Sequence, residues 1–355
     1  TRIQILPASK ATWCDRVVKV VDGSTVSMPD TAANQRQYPQ PKAQKPGCGF
    51  PVMRLVAVFS LASGALLGLA QGSLHQGERT LFRQLWDSLL QPLDVLLSDR
   101  GFSSYADQYL LQQSKVDYVM RKHQRRSKNV RPIRTPGPKD ILVEWMKTKV
   151  CPQWMDPSQW AQIPDRLRVR EITFTVPCRG FRSETITVVT SLLDPEQFPR
   201  EAFVQLYQKR WMAELFLRDI KIALGMDILR CKTPGMIQKE LHLYLIAYNL
   251  LRALMVQTSQ THQVPLERIS FQGTLSTVRT WVPRIAYRNF TPFQIHQILQ
   301  HLFFYLASDL LPVRPHRVEP RARKRRPKPY ALLTCLRQLF VDIPHRNNYK
   351  QMKLT

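Results

Sequence analysis

Apolar positions in the first third of the chain alternate between the period of a strand and the period of a helix. Residues 17–28 are β-branched and apolar, interrupted by Asp22-Gly23. Residues 55–70 (LVAVFSLASGALLGLA) hold two short apolar runs around Ser63-Gly64, a turn signal, so a buried β-hairpin is expected over 52–69. A helical period covers about 78–90. An apolar strand over 93–97 then stops at Ser98-Asp99-Arg100-Gly101. A helix over about 103–113 and a strand over 116–120 complete the order βββαβαβ, which predicts a mixed α/β sheet opening with a meander. The Pro/Gln/Lys-rich stretch 30–49 reads as a surface loop.

The pattern changes after residue 120. Residues 121–139 contain eight Lys/Arg, three Pro and no acid, the composition of an exposed basic loop. Strands are expected over 169–176 and 184–191, joined through Arg179-Gly180-Phe181-Arg182. Helical signals dominate from Pro199 to about Leu311, beginning with one helix of about 25 residues from Pro199 to Gly225. A second basic run, 314–328, carries eight Lys/Arg against one Glu. The chain thus divides at about 120, 198 and 312.

Charge narrows the function. The 355 residues include 52 Lys+Arg and 26 Asp+Glu, a formal charge of +26 and a pI near 10.3, while 44% apolar content is enough for a sizeable core. The surplus calls for a polyanionic partner, nucleic acid or an anionic membrane surface. The most apolar stretch falls short of the roughly 18–20 residues that span a bilayer, which disfavours the membrane. No secretory signal opens the chain. Its six cysteines are scattered without a C-x-x-C pair, so neither a zinc site nor a disulfide framework is indicated, and reduced thiols are expected. The first residue is Thr1, and a strand-like segment follows soon after, as in a fragment.

Within the helix expected over 199–225, Tyr207, Arg210, Glu214 and Lys221 fall in an arc of about 60°, with Arg218 and Trp211 at its edge. Met212, Leu215, Phe216, Ile220 and Ala223 lie mostly opposite. Such a face is either a solvated row of i,i+4 ion pairs or a carboxylate set among cations for phosphoryl transfer. Two further carboxylates have suitable settings. Asp22 sits inside an apolar strand, where a charge is costly without a partner or metal. Asp99 follows the C-terminal end of a strand, where α/β sheets place their sites. Their structural alternatives are a turn at Asp22-Gly23 and a helix cap at Ser98-Asp99. Asp15, Asp30, Asp94, Asp107 and Glu78 have no comparable setting. Three convergent carboxylates would hold two Mg²⁺ ions, and hard oxygen donors favour magnesium over zinc.

The VVDGST strand, the SDRG segment and Tyr207-x2-Arg210-x3-Glu214-x6-Lys221 together resemble the DDE transposases of bacterial insertion sequences. Within these the chain is most similar to the insertion-sequence-four family, which carries the YREK signature. The resemblance covers about 17–225, and RRPKPYALL (325–333) also looks like the C-terminal end of such proteins. It implies an α/β fold: an RNase-H-like (retroviral-integrase-like) mixed sheet with a β-rich insertion and a helical C-terminal region. The first part of the catalytic core would occupy 1–120, the insertion 121–198, the Glu-bearing helix and C-terminal helices 199–312, and a basic tail 313–355. The insertion accounts for the 115 positions between Asp99 and Glu214, against 77 between Asp22 and Asp99.

Carried over residue by residue, the resemblance makes Asp22, Asp99 and Glu214 the catalytic metal ligands. Tyr207, Arg210, Lys221 and Arg218 would contact DNA phosphates, with Trp211 against the terminal nucleotides. It implies two Mg²⁺, replaceable by Mn²⁺, and double-stranded DNA partners: terminal inverted repeats and target DNA. A homodimer in the synaptic complex and a cytoplasmic, nucleoid-associated location in a bacterium are further implications. Metal-dependent cleavage at the element end would release a 3′-OH that attacks target DNA. Relatives that form a DNA hairpin stack a flipped base on an aromatic of the insertion. Trp145, Trp154, Trp160 and Phe181 are available here, with core packing the expected role of each. Only about 20 residues precede Asp22, so a helical DNA-recognition region is expected to be missing by truncation. The alternatives are an inactive transposase-derived DNA-binding protein and an RNase-H-like nuclease.

Overall fold

The computed structural model describes residues 12–127, 130–176, 184–286, 289–313 and residue 339. The first strand, β1 (Val18–Ser27), runs unbroken through Asp22-Gly23, so no turn forms there. Stretch 30–49, expected as a plain loop, contains a short helix, α1 (Ala32–Gln37), capped by the Thr31 side chain and pinned by the buried Asn34. The hairpin follows as β2 (Val52–Ser60) and β3 (Leu66–Ser73). Its turn needs glycine twice over. Gly64 has φ +69°, and a Cβ there would meet the Arg252 guanidinium, which donates to the Ser63 carbonyl at 2.7 and 3.1 Å.

The helix expected over 78–90 is two short ones, α2 (Glu78–Arg83) and α3 (Trp86–Leu89). Next come β4 (Val95–Ser98), α4 (Tyr105–Gln113) and β5 (Asp117–Arg121). Strand β1 pairs antiparallel with β2 and parallel with β4, and β5 lies parallel to β4. The order β3-β2-β1-β4-β5, antiparallel at one end and parallel at the other, is the RNase-H-like arrangement.

The segment after β5 prolongs the same sheet. It supplies β6 (Val130–Gly137), β7 (Asp140–Met146), α5 (Pro157–Gln162), β8 (Arg166–Val176) and β9 (Glu184–Thr190). Strand β9 pairs antiparallel with β5, and β8, β7 and β6 follow outward to make nine strands. The basic stretch 121–139, expected as a loop, therefore contains a strand over its second half and a 3₁₀ turn at 124–127. Pro132 and Pro136 are accommodated because β6 is the sheet edge and its register slips at Pro132/Arg134 and Arg134/Gly137.

The single helix expected over 199–225 is three pieces. Helix α6 (Arg200–Gln208) tightens at Lys209-Arg210, where amide donors reach back three residues (Lys209 to Leu206, Arg210 to Tyr207). Helix α7 (Trp211–Arg218) then loosens into a π-helical turn, Asp219–Ala223, and Gly225 ends it at φ +84°. Helices α8 (Pro234–His262), α9 (Phe271–Ala286) and α10 (Pro292–Ser308) complete the expected helical region.

The core has two layers because β1 is buried on both faces. Val18, Val20 and Val26 pack with Phe203, Phe216 and Tyr248 from α6, α7 and α8. Val21, Val56 and Val58 pack with Leu81, Tyr105 and Trp160 from α2, α4 and α5. No helix among the described residues is long and apolar enough to cross a membrane. Run 314–328, the 325–333 segment and Arg179–Phe181–Arg182 lie outside the described residues.

Candidate active site

Side chains alternate along a strand, so Asp22 and Ser24 share a face with Val20 and Val26, the face covered by α6 and α7. The parallel register Val20 to Leu97, continued by two residues, sets Asp22 level with Asp99. Asp99 leaves β4 in extended conformation and accepts the Gly101 N–H at 2.8 Å, capping a 3₁₀ turn over Arg100–Phe102. The cap and the site position therefore coincide in one residue. Asp22 accepts the Gly23 N–H at 2.9 Å.

The electrostatics of Asp22 report burial above all. Its pKa is pushed up to about 6, first by burial and then by the negative charges of Asp99 and Glu214, against the Gly23 N–H and the Arg210 cation. Glu214 comes from α7 and accepts Arg210 Nη2 at 2.6 Å, an i,i+4 pair with Arg210 largely buried. Lys221, on the π-helical turn, reaches β1 and donates from Nζ to Ser24 Oγ at 3.0 Å.

The remaining candidates sit differently. Tyr207 is buried, with its ring edge-on to Phe174 at 6.2 Å, instead of standing on an open helix face. Arg218 makes a long contact with Asp219 (3.5 Å) and lines a cavity of about 650 Å³ with Met212 and Leu215. Trp211 is half exposed at the start of α7. The tightening at 209–210 falls between Tyr207 and Glu214 and the π-helical turn between Glu214 and Lys221, so one uniform 100° wheel does not describe all three.

Among the described residues, no three His, Cys, Asp or Glu side chains form a ready-made cation cluster. In kind, Asp22, Asp99 and Glu214 do fit a hard divalent ion: all three offer oxygen donors, and burial, with a smaller contribution from the other two, raises Asp22. Ser24 is the participant that spacing and composition did not single out; its signal is the i,i+2 spacing from Asp22 on one strand. Asp94 and Asp107 are buried partners of Lys19 and Arg83, a structural use. Trp145 and Trp160 are core residues, Trp145 donating to Glu171 at 2.7 Å. Trp154 is partly exposed, and Phe181 lies outside the described residues.

Residues 13–250 match the family described as the transposase DDE domain. The chain is 26% identical over 324 residues to transposase InsG of insertion sequence element IS4 from Escherichia coli strain K12, spanning 90% of this chain and 70% of that protein. It is 36% identical over 93 residues to a probable transposase for insertion sequence element IS5377 from Geobacillus stearothermophilus, 26% of this chain and 24% of that one. A cryo-EM structure of the piggyBac transposase synaptic complex with hairpin DNA aligns with a TM-score of 0.43 and 8% identity, over 84% of this chain and 58% of that chain.

Proposed function

The chain belongs to the DDE transposase family, and from that premise we propose that it cuts DNA at the ends of a mobile element and joins them to target DNA. What supports this reading is the register that sets Asp22 level with Asp99 on neighbouring strands, with Arg210 and Glu214 of the adjoining helix near enough to act on the Asp22 charge. In this reading a water attacks the phosphodiester at the element end and leaves a 3′-OH, which then attacks target DNA in line. No covalent bond to the protein forms.

The family typically uses divalent metals. The three carboxylates are the ligands we assign, for two Mg²⁺ ions that Mn²⁺ can replace. When bound, such a pair stabilises the attacking and leaving oxygens of an in-line displacement. Arg210 and Lys221 hold phosphate oxygens, and a guanidinium suits this because it donates in a planar fork. Tyr207 is buried against Phe174, so we assign the phosphate contact of this helix to the two cations. Trp211 faces the terminal nucleotides, and Arg218 contributes charge at the margin.

The working unit we propose is a homodimer on paired ends. Two copies of a +26 chain repel unless they meet through uncharged surface. Helix α10 has no charged residue, nor has 241–251 of α8, yet Leu243, Leu250, Phe293 and Phe304 are each more than half exposed there.

The test is joining of a pre-nicked element end to target DNA in Mg²⁺, comparing the native chain with Asp99→Ala. Native joining with none in the variant is expected. Equal joining in both would overturn the site, and cleavage of RNA–DNA hybrids without joining would overturn the function.

A further inference from the structure

On the flank of the sheet opposite α7, a cavity of about 410 Å³ opens beside the carboxylates. Its walls include Arg54 from β2, Glu78, Arg79 and Arg83 from α2, Gly101, and Trp154 from the segment between β7 and α5. Two contacts tie it to the catalytic strands. Gly101 donates its N–H to Asp99, and the Glu78 carboxylate packs onto Gly23, where a Cβ would stand 2.5 Å from Glu78 Cδ.

The arginines are not equivalent. Arg83 is neutralised by Asp107 at 2.7 and 3.0 Å, and its guanidinium lies 3.5 Å from the centre of the Trp154 ring. It is a fixed platform that docks an aromatic of the long β5–β9 segment onto α2. Arg54 is anchored through Nη1 to the Gln76 carbonyl at 2.8 Å, and its buried Nε has no hydrogen-bond partner. Among the described residues, neither Arg54 nor Arg79 makes an ion pair, although Asp and Glu are close by.

We infer that this cavity is a second phosphodiester subsite, gripping the DNA backbone on the side of the carboxylates away from Arg210 and Lys221. The inference rests on the transposase reading for its ligand. Two uncompensated guanidiniums supply a forked donor set for phosphate oxygens. Glu78 removes part of the surplus charge, which suits the single negative charge of a diester better than the two of a terminal phosphate. The DNA strand is then held on both faces of the sheet, with the scissile bond between two basic contacts.

The probe is a fluorescein-labelled random-sequence duplex, titrated with the full chain across a potassium chloride series and read by anisotropy. In Arg54→Gln/Arg79→Gln we expect Kd to rise roughly tenfold at 150 mM salt. The slope of log K against log salt should fall by about 1–2, one for each phosphate that is no longer neutralised. Arg54→Lys/Arg79→Lys restores the slope. Arg79→Gln alone, at an exposed position that the fold does not need, gives about half the effect. A native Kd and slope in Arg79→Gln and in a double variant that melts like the native chain would overturn the subsite. Asp99→Ala separates the two readings: it should abolish joining while leaving the salt slope intact, so a failure of catalysis and a failure of this subsite appear in different measurements.

Discussion

Replacing Asp22 with Asn should stabilise the protein while abolishing its chemistry. Asp22 is forced to ionise in a partly buried position facing Asp99 and Glu214, which raises its pKa to about 6. An ordinary aspartate titrates near 3.9, so the difference corresponds to about 3 kcal/mol of destabilisation at neutral pH when no cation is bound. Residual solvent contact at Asp22 lowers the usable figure to about 1–3 kcal/mol. The sign follows from proton binding: between about pH 4 and 6 the folded state holds a proton that the unfolded chain has released. Stability therefore falls as pH rises through that window, and the cost is complete above it. The substituted amide keeps the oxygen that accepts the Gly23 N–H and carries no charge.

In chelator at pH 7.5, urea unfolding should show Asp22→Asn more stable by that amount, with the gain shrinking toward zero near pH 4. Millimolar Mg²⁺ should stabilise the native chain and leave the variant unchanged, because only the native site gains binding free energy. A variant less stable than native at pH 7.5, or a difference that does not vary with pH, would refute the buried, charge-flanked setting given to Asp22.

Three other outcomes probe the neighbours of the site and the fold. Ser24→Ala removes the acceptor of Lys221 Nζ and should lower kcat/KM for strand joining about 5–10-fold, with Ser24→Thr restoring it; in a double-mutant cycle with Lys221→Met the losses should not add, and additive losses would disconnect the two residues. Arg170→Met strands the Asp140 carboxylate, which Arg170 now meets at 2.6 and 2.8 Å with both side chains buried, and should cost about 3–5 kcal/mol in denaturant unfolding; a loss under about 1 kcal/mol would mean the pair is dispensable. Leu243→Glu/Leu250→Glu should give a monomer by analytical ultracentrifugation that still binds a DNA end but no longer pairs two; a dimer that survives both charges lies elsewhere.

Strand and helix periods were enough to find the first five strands and their order along the chain, since β1, β2 and β4 are largely apolar and their neighbours announce themselves by Ser63-Gly64 and Ser98-Asp99. They were not enough at 121–139. There, eight basic residues and three prolines look like a loop, yet β6 survives because an edge strand needs only one set of partners and tolerates proline where its register slips. The short α1 was hidden for a related reason: its stability comes from the Thr31 cap and the buried Asn34, which bonds the Pro29 and Cys231 carbonyls, not from an apolar stripe.

The candidate site shows the same limit in sharper form. Strand settings singled out Asp22 and Asp99, and helical spacing singled out Tyr207, Arg210, Glu214 and Lys221 as one face. A change of pitch on either side of α7 was not legible in that spacing. Tyr207, before the tightening at Lys209-Arg210, lies in the core. Underwinding over Asp219–Ala223 carries Lys221 to Ser24, two residues from Asp22 on the same face of β1. A π-helical turn forgoes good hydrogen-bond geometry, so its persistence next to three carboxylates needs a compensating contact. The Lys221–Ser24 bond is such a contact: it ties the π-helical turn to β1 and fixes a cation two residues from Asp22, the position at which the proposed phosphate contact would be made.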